Sequence, residues 1–389
     1  MKQGMKQGMR RCCALLLAGI LAVSQLAGCK TDDAAGSNSD GRPGDTAGLA
    51  IRYAENFSIR YLPDGVKLVT DADSRELLLV PDGVPVPAEY GDKTLVRTPI
   101  SHAFFSSTSH VGLLGFLGLD ELYDSIAAVS TDESSWTTPQ VLERFANGQI
   151  QYIPAGTVDP PDAEIVLELD PDIYFSIAYP GIGVLSQYED VGIVYAAVGE
   201  WMEKSNPAYM EWVKFFAAFY NLDELADQVF EAKMARMAEL RAMVEDIPEA
   251  DRPVVAYAQM SNGNVHTQSS DSTTAKEIWN AGAVYYLDDL GGEGNPQISM
   301  EEFFDNARDA DILVYYSLIT YTPDKTALLE LDPLFGELKA FQDGEVYVFA
   351  ADYYMNSAAK DTLFEDMLAI FHPELMPGHE LRLIIRLPD

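Results

Sequence analysis

The stretch PPDAEIVLELDPDIYFSI, residues 160–177, joins a short helical pattern to a buried strand. Residues 165–169 have the composition of a helix, and residues 172–177 form a mostly apolar run that is typical of a strand covered on both faces. A helix that leads directly into a buried strand is the repeating unit of a doubly wound sheet. The stretch therefore predicts an α/β lobe.

A second stretch, PQISMEEFFDNARDADILVYYS at residues 296–317, repeats these features in the same order. In each stretch a proline precedes a carboxylate that opens an apolar helix, and an aspartate precedes the strand. Glu164 lies nine residues before Ile173, and Glu301 lies eleven before Ile312. We predict two related lobes with a glutamate in the first turn of each helix. The helix dipole also stabilises a carboxylate there, by about 0.3–1 kcal/mol, so a purely structural role stays open.

Strand and helix patterns alternate on both sides of these stretches. The strand patterns lie at residues 103–105, 126–129, 172–177, 192–198, 254–259, 311–317 and 345–350, and a closing helix is predicted over residues 360–371. This alternation predicts an α/β fold of two doubly wound, Rossmann-like lobes, over residues 95–220 and 248–389.

Between the predicted lobes, residues 221–247 carry apolar side chains at spacings of three and four. This spacing predicts one long helix over residues 222–247 with a buried face, about 39 Å in length at 1.5 Å per residue. The pattern alone fits a connecting strut and an ordinary surface helix equally well. Before the first lobe, residues 51–94 contain short strand patterns separated by turn residues, which predict an antiparallel β extension.

The first 50 residues have the organisation of an export signal followed by a tether. Four basic residues lie within the first eleven, before a mostly apolar run over residues 12–27 that is short for a membrane span. The tetrapeptide that ends at Cys29 resembles the lipobox of bacterial lipoproteins, so we expect a signal peptide at 1–28 and lipidation at Cys29. Residues 29–50 are polar and small and predict a flexible tether. The alternative is an ordinary signal peptide with Cys29 as a chance thiol.

The chain is strongly acidic, with 61 Asp and Glu against 26 Lys and Arg and a net charge of −35 at pH 7. Nucleic-acid binding depends on basic residues that neutralise phosphates, so the composition argues against a nucleic-acid partner. We interpret most of the charge as a source of solubility. Since Cys12 and Cys13 lie in the signal, we expect no internal disulfide in the mature chain.

Five stretches carry a resemblance to a known family, namely AFFSSTSHVGLLGFLGL, DAEIVLELDPDIYF, DVGIVYAAV, ISMEEFFDNARDADILV and FGELKAFQDGEVYVF. Over residues 95–375 the chain resembles the substrate-binding lipoproteins of ABC importers that handle iron complexes, haem and corrinoids. The resemblance implies two lobes joined by a long rigid helix, with the ligand in the cleft between them. It also implies that Glu164 and Glu301 pair with arginines of the membrane permease.

The same resemblance implies an ABC permease and its ATPase as partners and a lipid-anchored position outside the cytoplasm. It implies no intrinsic cofactor, because the iron chelate, haem or corrinoid is the transported ligand. We expect a monomer.

Ligands of doubly wound sheets bind beyond the carboxyl ends of the strands. The loops expected there are rich in aromatic and polar residues, which suit large flat or macrocyclic ligands. The predicted ligand contacts are Ser107, Thr108, His110, Trp136, Tyr179, Trp201, Gln259, Asn262, His266, Tyr316, Tyr321 and Tyr353. These loops hold few Lys or Arg, which favours a corrinoid or a hydroxamate siderophore over an anionic catecholate. Haem would need partners for its propionates, and His110 and His266 are the candidate axial ligands.

Three other functions remain as alternatives. A receptor for a bare metal ion needs several convergent His and carboxylate side chains, and the chain has five His. An enzyme is not expected, because the common hydrolase, metalloprotease, phosphate-loop and dinucleotide motifs do not occur in the sequence. A surface adhesin or a sensor that reuses the same fold is the third alternative.

Overall fold

The computed structural model describes residues 49–155, 160–179, 186–287 and 295–389. The predicted signal peptide, Cys29 and the tether up to residue 48 lie outside the described residues. Within them, three sheets are covered by helices. Across the same ranges, no helix has the length and apolar character that a membrane crossing requires.

The described chain begins with a four-stranded sheet. Its strands are β1 (Ser58–Tyr61), β2 (Lys67–Thr70), β3 (Glu76–Pro81) and β4 (Thr94–Thr98). The first three are antiparallel neighbours, whereas β4 joins β3 in parallel. The extension therefore reaches residue 98, four residues beyond the predicted boundary, because β4 pairs with β3 and not with a strand of the first lobe.

The first lobe is built on five parallel strands in the order β7-β6-β5-β8-β9. The strands are β5 (Ala103–Phe105), β6 (Ile126–Val129), β7 (Gln151–Tyr152), β8 (Ile173–Ile177) and β9 (Tyr195–Val198). Its helices are α1 (Thr108–Gly115), α2 (Pro139–Ala146), α3 (Ala163–Leu169) and α4 (Ser186–Val191). Strands β6 and β9 are buried throughout, as their continuous apolar runs predict.

The N-terminal sheet is attached to the edge strand β9. Ala72 N donates to Ala197 O at 3.1 Å. Ala197 N in turn donates to the Asp71 carboxylate at 2.9 Å. These bonds satisfy backbone groups that an open sheet edge would leave free.

Two consecutive helices connect the lobes, α5 (Asn206–Phe219) and α6 (Asp223–Ala242). Helix α5 is almost wholly buried, and its Phe216 ring packs 5.1 Å from Phe175 in β8. At the start of α6, Asp223 pairs with Lys67 of the N-terminal sheet at 2.6 Å. Near its end, Arg236 pairs with Glu365 of the second lobe at 2.8 Å. Helix α6 thus spans from one lobe to the other, which is the strut role implied by the resemblance.

Helix α6 ends at Ala242, five residues before the end of the predicted span 221–247. The next residues include two carboxylates, which the negative end of the helix dipole disfavours. Arg252 donates to the carbonyls of Ile247 at 3.1 Å and Val244 at 3.4 Å, so the turn after the helix has its own partner.

The second lobe has a mixed sheet. Its strands are β10 (Val254–Ser261), β11 (Asn264–His266), β12 (Val284–Tyr285), β13 (Gln297–Ile298), β14 (Ile312–Leu318), β15 (Val346–Phe349) and β16 (Ile384–Arg386). Strands β12, β10, β14 and β15 are parallel neighbours, whereas β16 pairs antiparallel with β15. The helices are α7 (Thr273–Asn280), α8 (Met300–Ala307), α9 (Lys325–Leu331), α10 (Lys339–Asp343) and α11 (Lys360–Phe371).

The lobes also contact each other directly. One continuous apolar core includes residues of both lobes and of α5 and α6. Gly112 in α1 lies so close to the backbone of Met355 that a Cβ on Gly112 would overlap the Met355 carbonyl oxygen. Thr137 N lies 3.3 Å from Met355 Sδ. Close packing of this kind favours a rigid pair of lobes with modest closure.

Candidate functional site

A cavity of about 540 Å³ lies between the lobes. It is placed at the carboxyl ends of strands, since Glu200 follows β9 and Phe349 ends β15. Helix α5 contributes Tyr209 and helix α11 contributes Lys360. This is the position at which doubly wound sheets bind ligands.

The wall from the second lobe is a continuous aromatic surface. The Tyr257 and Tyr316 rings stack with centroids 5.8 Å apart, and Phe349 lies 5.2 Å from Tyr316. Tyr353 continues the surface 4.3 Å from Phe349, and Tyr354 lies 5.4 Å from Tyr353. Aromatic faces at this spacing provide a large apolar contact area with phenolic hydroxyls at the edges. Such a wall suits a flat or macrocyclic ligand.

The opposite side has a buried polar floor around Glu200. One Glu200 oxygen accepts a hydrogen bond from Ser109 Oγ at 2.6 Å. The other is buried without a hydrogen-bond partner and lies 3.7 Å from His110 Nε2. Burial raises the pKa of Glu200 to about 7 and lowers the pKa of His110 to about 3. At neutral pH His110 is therefore uncharged, and Glu200 is poised between its two protonation states.

The charges around the cavity are mostly acidic. Glu200, Glu203 and Glu277 line it, whereas Lys360 is the one Lys or Arg among the described lining residues. Arg241 Nη2 lies 3.4 Å from the Glu277 carboxylate, and burial raises the pKa of Glu277. Burial lowers the pKa of Lys360 to about 8. The site therefore has no cluster of cations for a strongly anionic ligand.

Five of the twelve predicted contacts line this cavity: Trp201, Gln259, His266, Tyr316 and Tyr353. Gln259 and His266 do so from paired strands, since β10 and β11 form a hairpin that places them opposite each other. The sequence pattern had predicted a loop over residues 259–266.

Four predicted contacts near α1 and α2 have other positions. Ser107 caps α1 and accepts from Ser109 N, and Thr108 is the first residue of that helix. His110 is fully buried and does not line the cavity, so it does not face His266 as an axial ligand would. Trp136 is also a core residue, with 4% of its surface exposed, and its indole N–H donates to Thr131 O at 3.2 Å. The sequence predicted an exposed position for Trp136 because its neighbours in the chain are polar.

The remaining predicted contacts lie on the outside. Tyr179 packs on Trp201 with centroids 5.7 Å apart and is itself exposed. Asn262 occupies the tight turn of the hairpin with a φ of +52°. Tyr321 is 79% exposed.

Sequence reasoning missed Tyr209, Tyr257 and Lys360 as lining residues. Tyr209 and Tyr257 lie inside a helix and a strand whose patterns indicate only burial. Lys360 could have been found from the sequence, because a cation at the first position of a helix interacts unfavourably with the helix dipole. Such a residue indicates a role other than stabilising its helix.

Both predicted helix-start glutamates are exposed, one on each lobe. Glu164 lies in the first turn of α3 and Glu301 in the first turn of α8, which confirms the predicted placement. Their helices are capped by Asp162 and Ser299, so neither glutamate is needed as a cap. Neither residue lines the cavity. Within the described ranges, no group of three or more His, Cys, Asp or Glu is arranged to hold a metal ion.

Glu200 makes a testable contribution to stability. Its folded-state pKa of about 7 lies above the ordinary 4.5, so its contribution is complete below pH 4.5 and is lost as the pH rises through 7. The charged and titratable groups that face it are His110, Tyr209 and Lys360. The wild type should therefore lose stability between pH 5 and pH 8, whereas the Glu200→Gln variant, which has no carboxyl group to ionise, should not. The variant minus wild-type difference in the free energy of unfolding should be more favourable at pH 8 than at pH 5 by about 3 kcal/mol.

Denaturant unfolding of the Glu200→Gln variant and the wild type at both pH values measures this difference. Glu224→Gln, on the exposed side of α6, is the control and should show no pH-dependent change. A Glu200→Gln variant that loses stability at pH 8 would mean that Glu200 is ionised and favourably paired.

Comparison with known proteins places this geometry in a family. An uncharacterized lipoprotein of Methanocaldococcus jannaschii is 26% identical over 363 residues, covering 86% of this chain and 85% of that protein. A periplasmic heme-binding protein from Pseudomonas aeruginosa has a TM-score of 0.54 at 17% identity, covering 75% of this chain and 99% of that one. A siderophore-binding protein from Vibrio cholerae, solved with Fe³⁺-Desferal, has a TM-score of 0.50 at 17% identity, covering 70% and 99%.

At such identities the structural likeness shows the fold alone, a two-lobed α/β fold as predicted. The family model for periplasmic binding proteins matches residues 116–353, which is more than half of the chain. The matched segment begins directly after α1 and ends at Tyr353 in the aromatic wall, so it includes parts of both lobes and most of the described cavity lining. The chain therefore belongs to the periplasmic binding protein family, as its sequence pattern predicts.

Proposed function

We propose that this protein is the lipid-anchored substrate-binding subunit of an ABC importer, and that its cargo is an iron complex or a corrinoid. The observation that carries the proposal is the cavity between the lobes, with its aromatic wall and, among the described lining residues, Lys360 as its one Lys or Arg. In this proposal Cys29 anchors the chain outside the cytoplasm, and residues 29–50 give it reach to the permease.

The charge of the cavity argues against cargo complexes that carry several negative charges. Catecholate siderophores carry several negative charges and bind through clusters of Arg and Lys, which the described lining lacks. Haem would leave its propionates with Lys360 as the only Lys or Arg among those residues. A hydroxamate complex or a corrinoid fits the aromatic wall without such partners. The Fe³⁺-Desferal bound by the Vibrio cholerae protein belongs to the hydroxamate class.

Glu164 and Glu301 are the proposed contacts with the permease. Two exposed carboxylates on separate lobes provide a two-point contact that defines orientation. Charge pairs at the edge of an interface act on encounter and register more than on affinity. The exposed apolar side chains of Ile165 and Leu167 flank Glu164 and supply contact area beside it.

The test is a ligand panel on the chain from Lys30 onward, followed by tryptophan fluorescence and melting temperature. The panel contains cobalamin, cobinamide, ferrichrome, haem and a ferric catecholate. We expect a clear shift with a hydroxamate or a corrinoid, since a ligand at a hundred times its Kd stabilises by about 2.7 kcal/mol. The catecholate should produce none. Tight binding of the catecholate alone would contradict the charge argument, and no binding at all would contradict the proposed cargo class.

A further inference from the structure

The floor of the cavity contains a lysine without a polar partner. Lys360 is the first residue of α11 and is 9% exposed. Its Nζ lies 4.2 Å from the centroid of the Tyr209 ring and 5.9 Å from that of Tyr353. Within the described ranges, Nζ has no hydrogen bond and no ion pair within 4 Å.

The neighbouring carboxylates bond to groups other than Lys360. Glu200 accepts from Ser109, and Glu277 accepts from Arg241 and Asn280. Asp361, the next residue along the helix, is bonded to Lys233 at 2.8 Å. One oxygen of Glu200 and one of Asp361 accept no hydrogen bond, but neither forms an ion pair with Nζ among the described residues. Glu200 and Glu277 attract the ammonium electrostatically without bonding to it. The direct contacts of the ammonium are therefore the aromatic faces of Tyr209 and Tyr353.

This arrangement is costly for the ligand-free protein. A largely buried ammonium that makes no hydrogen bonds loses several kcal/mol of solvation, since burial lowers its pKa in spite of the attraction of Glu200 and Glu277. A cation–π contact returns about 2 kcal/mol of this loss. Its position at the start of a helix adds an unfavourable dipole interaction. A side chain kept in this state, with its donors open to a cavity, is arranged to meet a group that enters the cavity.

We propose that Lys360 is the anchoring donor of the site and that the cargo presents one oxygen acceptor group to it. The acceptor is a carboxylate or a carbonyl-type oxygen such as that of a hydroxamate or an amide. The rest of the cargo lies against the aromatic wall of Tyr257, Tyr316 and Tyr353. The inference rests on the proposed function and adds to it an orientation and a required chemical group.

Two small probes of the same shape test the anchor without any assumption about the cargo. Benzoate presents only acceptors, and benzamidinium presents only donors. We expect benzoate to bind the chain from Lys30 onward, which contains every described residue, at least tenfold more tightly than benzamidinium. Lys360→Met should abolish this preference. Lys276→Met, which removes an exposed lysine of α7 outside the cavity lining, should keep it.

Titration calorimetry at pH 7 measures both affinities in each variant. A wild type that prefers benzamidinium, or that binds neither probe, overturns the proposal, because the acidic groups would then dominate the site. A benzoate preference that survives in Lys360→Met overturns it as well.

The melting temperature of the ligand-free Lys360→Met variant separates an anchor from a structural residue. An unpartnered lysine predicts an unchanged or higher melting temperature, whereas a large decrease would show that Lys360 supports the fold and would overturn the proposal. The ligand panel distinguishes the two proposals. Benzoate binding through Lys360 without binding of any panel complex contradicts the cargo class only. A panel complex that binds Lys360→Met as tightly as the wild type contradicts the anchor only.

Discussion

Replacing Glu164 and Glu301 together by alanine should abolish uptake and leave the affinity of the isolated protein for its cargo unchanged. Both side chains are exposed on the first turns of α3 and α8, and neither lines the cavity. Surface substitutions away from caps and cores change stability by less than about 0.5 kcal/mol. The loss should therefore arise at the permease, where both charge contacts are removed.

Uptake of labelled cargo by cells that carry the variant as their only copy measures the effect, with binding of the purified variant measured in parallel. The matched control is Glu168→Ala with Glu302→Ala, which removes one exposed carboxylate from each of the same helices. Full uptake by the Glu164 and Glu301 variant would place the docking contacts elsewhere. A loss of cargo affinity would instead mean that these residues belong to the binding site.

Replacing Glu211 by alanine should lower the free energy of unfolding by about 3 kcal/mol. Glu211 is fully buried in α5 and accepts the backbone N–H groups of Arg52, Tyr53 and Ala54 at 2.7–3.0 Å. Lys214 Nζ also donates to it at 3.2 Å. The substitution leaves the three backbone N–H groups without this acceptor and releases the segment that follows the proposed tether, whereas Lys214 keeps Asp227 as a partner at 2.9 Å.

Chemical denaturation gives the free energy, and limited proteolysis reports whether residues 50–57 become accessible. Glu231→Ala is the control, because Glu231 binds the side chain of Arg52 in the same segment from an exposed position. An exposed pair of this kind contributes at most about 1 kcal/mol. Equal stability losses in the two variants would contradict the role assigned to Glu211.

Much of the fold was predictable because each part of it leaves a local pattern. Strands β6 and β9 are buried on both faces and therefore have continuous apolar sequences. Helix α6 buries one face and therefore repeats apolar residues at spacings of three and four. The first-turn positions of Glu164 and Glu301 follow from the same patterns.

Strand pairing was less predictable, because hydrogen bonds between strands depend on partners that are distant in the chain. The parallel pairing of β4 with β3 leaves no signal in either sequence. Strand β16 follows the helix that seemed to close the fold, and it completes the sheet at β15. Gln259 and His266 were expected in a loop, and they lie instead in the paired strands β10 and β11.

By itself, the sequence determined the two α/β lobes, the long helix between them and the first-turn positions of Glu164 and Glu301, since each depends on local composition and periodicity. The family and the connecting role of the helix came from the resemblance of whole stretches to known proteins. Only the tertiary structure decided which side chains line the cavity. Trp136 and His110 are in loops or helix starts that look exposed, yet the packing of neighbouring elements buries them. Tyr209 and Lys360 lie in helices that look like core, yet they face the cavity. The periodicity of an element indicates which of its faces is buried within its own lobe. The cavity lining depends instead on how the two lobes pack on α5, on α6 and on each other.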